Sequence, residues 1–182
     1  MLTIGDQFPA FSLKAVKPGA YPNSINEAFI DVNNNSYQGK WQVIFFWPKD
    51  FTFVCPTEIV AFADLNEEFD DRGAVLMGAS TDSEFVHLAW KKHQEELKDL
   101  SIPMLADVGG VLSNELGILS QDALVSNRAT FIIDPHGIIR FVSVTDLNVG
   151  RNPDEVLRVL DALQTDELCP CNWKKGDDTI QL

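Results

Sequence analysis

The run Trp41-Gln42-Val43-Ile44-Phe45-Phe46-Trp47 leads directly into Pro48-Lys49-Asp50-Phe51-Thr52-Phe53-Val54-Cys55-Pro56-Thr57-Glu58. The first run, best read as Gln42 to Trp47, is apolar, β-branched and aromatic, which is the composition of a strand. After the cysteine the period changes. From Thr57 to Arg72, Ile59, Phe62, Asn66 and Phe69 trace one helical stripe, and Gly73 stands at its end. Cys55 therefore lies where a strand hands over to a helix. Backbone N–H groups converge there and the helix dipole favours an anion, so both effects favour a thiolate, the nucleophilic form. Position alone leaves a buried structural cysteine open, because free cysteine is among the most buried residue types.

Outward from this junction the alternation continues. Ala74 to Ser80 is almost continuously apolar, as a strand covered on both faces would be. Ser83 to Leu97 reads as a helix with Phe85, Leu88 and Ala89 on one side and Asp82 or Ser83 as its cap. A short strand follows Pro103 at Met104 to Ala106. Thr130 to Ile133 and Ile138 to Val144 flank Asp134-Pro135-His136-Gly137, whose residues fit a type I turn. Asn152 can cap a last helix in which Pro153 suits the first turn and Asp154 and Glu155 complement the dipole. Val156, Leu157, Val159, Leu160 and Leu163 supply its apolar face, and it ends near Gln164. Residues 16 to 40 are loop-rich, with room for an excursion or a short hairpin. The pattern predicts a three-layer α/β fold with a mixed sheet, and its order resembles the thioredoxin fold. The expected organisation is one domain over residues 1–164 and a tail over 165–182.

With 182 residues the chain can bury a sizeable core. Its 27 acidic and 14 basic residues give a net charge of −13, which argues against nucleic acid and anionic membrane surfaces as partners. No apolar run approaches the ~20 residues of a membrane span. Met1-Leu2-Thr3-Ile4-Gly5-Asp6 has neither the basic start nor the apolar stretch of a secretory signal, so a cytoplasmic enzyme is expected. The three cysteines, Cys55, Cys169 and Cys171, do not suit a secreted disulfide scaffold. His87, His93 and His136 are scattered, and with the Cys169/Cys171 pair they make no zinc spacing, so no metal site is expected.

Several side chains can serve Cys55. Pro48 and Pro56 bracket its loop, either stiffening the approach and keeping water out or merely punctuating a turn. Thr52, three residues before the cysteine, can turn its hydroxyl to the sulfur or a bound oxygen, or cap local backbone. Arg128 immediately precedes the strand Ala129 to Ile133, and a strand mouth is where an α/β sheet presents functional groups. Its guanidinium would stabilise a thiolate and hold an oxygen, unless it is simply solvated. Glu58 either orients an arginine or is a first-turn acid favoured by the dipole.

Pro48-(x)3-Thr52-(x)2-Cys55 resembles the active-site motif of peroxiredoxins at every defining position. Arg128-Ala129-Thr130-Phe131-Ile132-Ile133-Asp134 is similar to that family's arginine-bearing strand. Phe85-Val86-His87-Leu88-Ala89-Trp90, Val149-Gly150-Arg151-Asn152-Pro153-Asp154-Glu155 and Cys169-Pro170-Cys171-Asn172-Trp173-Lys174 are further blocks that resemble typical two-cysteine peroxiredoxins. The likeness runs from about Thr3 to Ile180 and is strongest to the C-type alkyl hydroperoxide reductases of the mycobacterial branch.

The resemblance implies a thioredoxin-like fold and a peroxidase cycle. In it Cys55 is the peroxidatic cysteine, Thr52 and Arg128 polarise the peroxide, and Pro48 shields the oxidised sulfur. Cys169 occupies the resolving position in the C-terminal extension, and Arg151 matches the arginine of the Val-Gly-Arg block. Cys55 would attack hydrogen peroxide or an organic hydroperoxide to give a sulfenic acid. Cys169 of a partner protomer would then form a disulfide with it. A dithiol reductant, whether a thioredoxin, a flavoprotein reductase or a disulfide reductase like the D-type alkyl hydroperoxide reductases, would reset the enzyme. No metal or organic cofactor is needed. A homodimer assembling to a decamer is the family expectation. Cys171 departs from many relatives and would either act as resolver, relay the disulfide or stay idle. Gln94 to Ser101 lacks the Gly-Gly insertion of peroxide-sensitive relatives, and the sequence shows no Tyr-Phe helix after Leu182, so resistance to overoxidation is expected.

Two other readings compete. A thiol–disulfide oxidoreductase on the same fold would want a second cysteine at position 58, which here is Glu58. A chaperone-like ring assembly would keep its effect without Cys55.

Overall fold

The computed structural model describes residues 1–22 and 24–181. Seven strands form one mixed sheet: β1 (Ser12–Val16), β2 (Phe29–Asn33), β3 (Trp41–Phe46), β4 (Ala74–Ser80), β5 (Met104–Ala106), β6 (Arg128–Ile133) and β7 (Ile139–Thr145). Their order is β2-β1-β5-β4-β3-β6-β7. β3, β4 and β5 run parallel at the centre, and antiparallel pairs close both sides. Around them lie α1 (Cys55–Asp64), α2 (Asn66–Asp71), α3 (Glu84–His93), α4 (Val111–Glu115) and α5 (Pro153–Thr165). This is the expected three-layer mixed α/β fold of the thioredoxin type.

The sheet is apolar on both faces because both are covered. Val43, Phe45 and Trp47 point to one side, where Ile59 and Phe62 of α1, Leu88 and Trp90 of α3, and Val156 and Leu160 of α5 pack on them. Ile44 and Phe46 point to the other, against Phe131, Met77, Phe8 and Leu112. The rings of Phe45 and Phe62 stack at 4.2 Å, which fixes α1 against the strand that precedes it. β3 and α1 are thereby held in one orientation.

Several expectations need correction. The loop-rich region contains the hairpin β1–β2, and its first strand begins at Ser12, ahead of that region. The weak alternation of Ser12–Val16 hides a strand that gains its stability by pairing on both sides, including Lys14 with Asp31 at 2.7 Å. The helix expected over 57–72 starts earlier, at Cys55, and is divided at Leu65, whose N–H bonds back to Phe62 in a tightened turn. Asn66 is not buried with the Ile59, Phe62 and Phe69 stripe. The helix expected over 83–97 ends at His93, followed by a 3-10 turn at Glu95–Leu97. It buries His87, Leu88, Trp90 and Lys91, whereas Phe85 and Ala89 are exposed. An imidazole and an ammonium-bearing side chain thus sit on the core face, which a count of apolar residues assigns to solvent. Ser83 is its cap, accepting from the Val86 N–H at 3.4 Å. α4 has no sequence signature, since five residues carry no helical period; Asp107 caps it through the N–H groups of Leu112 and Ser113.

Candidate active site

Cys55 is the first residue of α1 and is fully buried. Pro56 follows it, and proline suits this position because its missing N–H would have no helical partner. The sulfur faces β6, where Arg128 is buried at the first residue of the strand. Arg128 Nη1 lies 3.5 Å from Cys55 Sγ. The same Nη1 donates to Glu58 Oε2, and Nε donates to the carbonyl of Leu147 at 2.8 Å. The guanidinium is therefore aimed from two sides, with one edge left against the sulfur. A charged donor thus lies beside the sulfur at the N-terminus of a helix.

Glu58 is one turn after Cys55 and nearly as buried. Its Oε1 accepts from the backbone N–H and from Nε of Arg151, both at 2.9 Å, and its Oε2 accepts from Arg151 Nη2 at 2.9 Å. Burial pushes the Glu58 carboxyl up, but the hydrogen bonds and positive charges of Arg151, with the charge of Arg128, overcome it and hold the group below its ordinary range. Arg151 is pinned in turn by the Ala129 carbonyl at 2.7 Å and by the rings of Phe45 and Phe62, 5.5 and 5.6 Å away. One carboxylate thus carries two guanidiniums between the helix and the sheet.

The other expected residues are placed as follows. Pro48 is buried and, with Thr52 and Arg128, lines a cleft beside the cysteine. The Thr52 hydroxyl donates to the Lys49 carbonyl at 3.0 Å and makes no bond to the sulfur, so here it closes the local turn. Cys169 and Cys171 are free thiols in the tail after α5. Cys169 Sγ makes its contacts with α5, at Thr165 Oγ1 (3.5 Å) and the Ala162 carbonyl (3.8 Å). The structure brings Cys55, Glu58, Arg128 and Arg151 into one buried cluster and leaves the tail cysteines outside it. Among the described residues, no three His, Cys, Asp or Glu side chains gather as a metal site. Among them, too, no helix is long and apolar enough to cross a membrane.

One group of residues escaped sequence reasoning. Asp50 accepts from Trp47 Nε1 at 2.8 Å and faces His87 Nδ1 at 2.6 Å, and its N–H donates to Asp82 at 2.8 Å. His87 Nε2 meets the Leu105 carbonyl at 3.1 Å. This network anchors the inner half of the loop before Cys55. The only signal was an aspartate and a histidine flanked by core aromatics, which pattern alone does not pair.

Fold and site together define a thioredoxin-type protein with a buried cysteine, gripped by arginine, at the head of a helix. The sequence places it further: residues 4–142 match the AhpC/TSA family, and the chain belongs to that family. It is 56% identical to alkyl hydroperoxide reductase C of Mycolicibacterium smegmatis over 99% of this chain and 94% of the relative. It is 45% identical to mouse peroxiredoxin-2, over 98% and 89% of the two chains. The structure of Mycobacterium tuberculosis AhpC superposes with a TM-score of 0.88 at 53% identity, covering 96% of this chain and 99% of the other. A reduced two-cysteine peroxiredoxin of Plasmodium vivax gives 0.89 at 35% identity, covering 98% and 92%.

Proposed function

We propose that this chain is a thiol-dependent peroxidase in which Cys55 reduces hydrogen peroxide and organic hydroperoxides. The observation that carries the reading is Arg128 Nη1 at 3.5 Å from a buried Cys55 Sγ at the head of α1. The thiolate attacks the terminal oxygen of the hydroperoxide. An S–O bond forms, the O–O bond breaks, and the departing alkoxide takes a proton to leave as alcohol, or as water from hydrogen peroxide. Arg128 stabilises the negative charge as it moves from sulfur to the leaving oxygen, at no cost in reorganisation because Glu58 and Leu147 already hold it. Arg151 acts through Glu58, as a positioning residue. Pro48 walls the cleft against water, and Thr52 stiffens the turn, with its hydroxyl free to be redirected to a bound peroxide.

The sulfenic acid is then resolved by Cys169 in the tail of residues 165–182, from a partner protomer, forming a disulfide and releasing water. Cys171 relays that disulfide to an external dithiol, which restores both thiols. That reductant is a thioredoxin, a flavoprotein reductase or a disulfide reductase like the D-type alkyl hydroperoxide reductases. The working form is a homodimer that assembles to a decamer in the cytoplasm. The peroxidase reading is favoured over a ring-forming chaperone because three buried charged side chains, Glu58, Arg128 and Arg151, are organised about one sulfur, which a chaperone surface does not require.

The test is titration of the reduced protein with one equivalent of hydrogen peroxide, followed by non-reducing gel and peptide mass spectrometry. A dimer linked Cys55–Cys169 supports the two-cysteine cycle and leaves the reductant open, and a Cys55–Cys171 link transfers the resolving role to Cys171. If Cys55 remains a thiol while peroxide persists, the reading fails.

A further inference from the structure

The cleft beside Cys55 has a volume of about 300 Å³. Phe53, Val54, Val125 and Leu147 supply apolar wall. Among the described residues, two charged side chains line it, Lys49 and Arg128, and both are cationic in a chain of net charge −13. Their situations differ. Arg128 is buried and shares the Glu58 carboxylate with Arg151. Lys49 is exposed and, among the described residues, pairs with no carboxylate. Its carbonyl accepts from the Thr52 hydroxyl at 3.0 Å, which fixes its backbone where the residue lines the apolar cleft.

We infer that Lys49 is a specificity-determining residue that selects hydroperoxides combining an apolar body with a carboxylate, the chemistry of a fatty-acid hydroperoxide. The inference rests on the peroxidase reading and names the substrate class of that site. The apolar body is removed from water against Phe53, Val54, Val125 and Leu147. The carboxylate meets Lys49, which among the described residues pairs with no acid, whereas elsewhere the acidic surface repels it. Chemistry at the sulfur is unchanged: the terminal oxygen passes to Cys55, and the product is the alcohol with its carboxylate intact.

The experiment compares linoleic acid hydroperoxide with its methyl ester, which has the same body and no charge, both below their micelle concentrations. Second-order rate constants for oxidation of Cys55 are measured by stopped flow on the full chain, with hydrogen peroxide as reference. In wild type the acid-to-ester ratio exceeds one and falls toward one as salt rises from about 0.05 to about 0.5 M, where screening shortens to a few ångströms. In Lys49→Gln the ratio drops about fivefold, the worth of one exposed ion pair at its upper end. Lys49→Arg keeps the ratio, and Lys49→Glu inverts it. A ratio equal in wild type and Lys49→Gln overturns the inference, and so does a wild-type ratio insensitive to salt, which needs no variant to fold. If wild type oxidises with none of the three peroxides, the peroxidase reading itself has failed and this one falls with it.

Discussion

Replacing Glu58 by glutamine tests the logic of the site, because the change alters charge without altering shape. The carboxylate accepts three bonds from Arg151 and one from Arg128, all within a buried cluster. An amide keeps one acceptor and turns its NH2 toward guanidinium N–H groups, so two buried cations lose their counter-charge. Removing one partner of a buried pair costs about 3–5 kcal/mol, a large share of the ~5–15 kcal/mol that holds a domain folded. The same substitution frees Arg128, and loss of an aligned donor should slow oxidation of Cys55 by about 10²-fold. The pH dependence gives an independent check. In the folded protein the Glu58 carboxyl lies below its ordinary range, because the arginines outweigh burial. A depressed carboxyl contributes stability that is fully present above the unfolded value, about 4.3, and is lost as pH falls through the folded value. Urea denaturation of wild type and Glu58→Gln should therefore show a gap near neutral pH that closes as the solution is acidified below that range. A gap of less than about 1 kcal/mol, unchanged with pH, would refute the claim that Glu58 carries the two arginines.

Arg128→Lys should slow sulfenic acid formation by about 10²–10³-fold, because a lysine point charge cannot address Leu147, Glu58 and the sulfur together; stopped-flow peroxide oxidation measures this, and a loss below tenfold contradicts it. Gly78→Ala should cost about 1–3 kcal/mol in urea denaturation. A Cβ at Gly78 would stand 2.6 Å from Trp47 Cζ3 and 2.9 Å from Phe45 Cζ, both rings locked in the core, and wild-type stability would show that they yield. Lys91 is buried with its ammonium on the carbonyls of Lys17 and Leu100, and burial lowers its pKa to about 8. A lysine depressed on folding binds fewer protons than the unfolded chain between that value and about 10.4, so stability relative to Lys91→Met should climb with pH across this window. A flat difference there would show that the ammonium is not desolvated.

The parts of this protein that were legible in its sequence are those whose cause is local. The β3–Cys55–α1 junction announces itself by a change of period from strand to helix, and the Asp134–Gly137 turn by residue chemistry; there Gly137 N–H bonds to the Asp134 carbonyl at 2.9 Å as a type I turn requires. Cys55, Arg128, Glu58 and Arg151 were picked out partly by position and partly by likeness to a family. What stayed hidden is held by contacts between distant residues. β1 is a strand because β2 and β5 flank it, not because Ser12–Val16 alternates. The polarity of α3 misled, because His87 and Lys91 on its buried face are satisfied by Asp50 and by backbone carbonyls from other elements. The distance from Arg151 to Glu58 spans 93 residues of chain, and no spacing rule reports it.

The loop from Trp47 to Cys55 shows how such distant contacts set function. Its inner half is fixed: Asp50 is tied to Trp47, His87 and Asp82. Its outer half is held by less, a bond from the Thr52 hydroxyl to the Lys49 carbonyl and the Phe51 ring leaning on Trp90. Phe51 takes a left-handed backbone at φ 54°, costly for a bulky residue, and Phe53 is 96% exposed. Opening should therefore start at Phe53 and stop at Asp50, releasing Cys55 for resolution without disturbing β3. Asp50→Ala removes the stop. It leaves the Trp47 indole N–H and one His87 nitrogen buried without partners, at about 1–3 kcal/mol each. Hydrogen-exchange mass spectrometry should show the wild-type amide of Asp50 protected and that of Phe53 exchanging fast. In Asp50→Ala, exchange should spread back toward Trp47. The variant should also form sulfenic acid more slowly, since Cys55 spends less time against Arg128. Equal exchange across the loop in wild type would mean that Asp50 anchors nothing, and the strained outer half would then open as one piece with the rest.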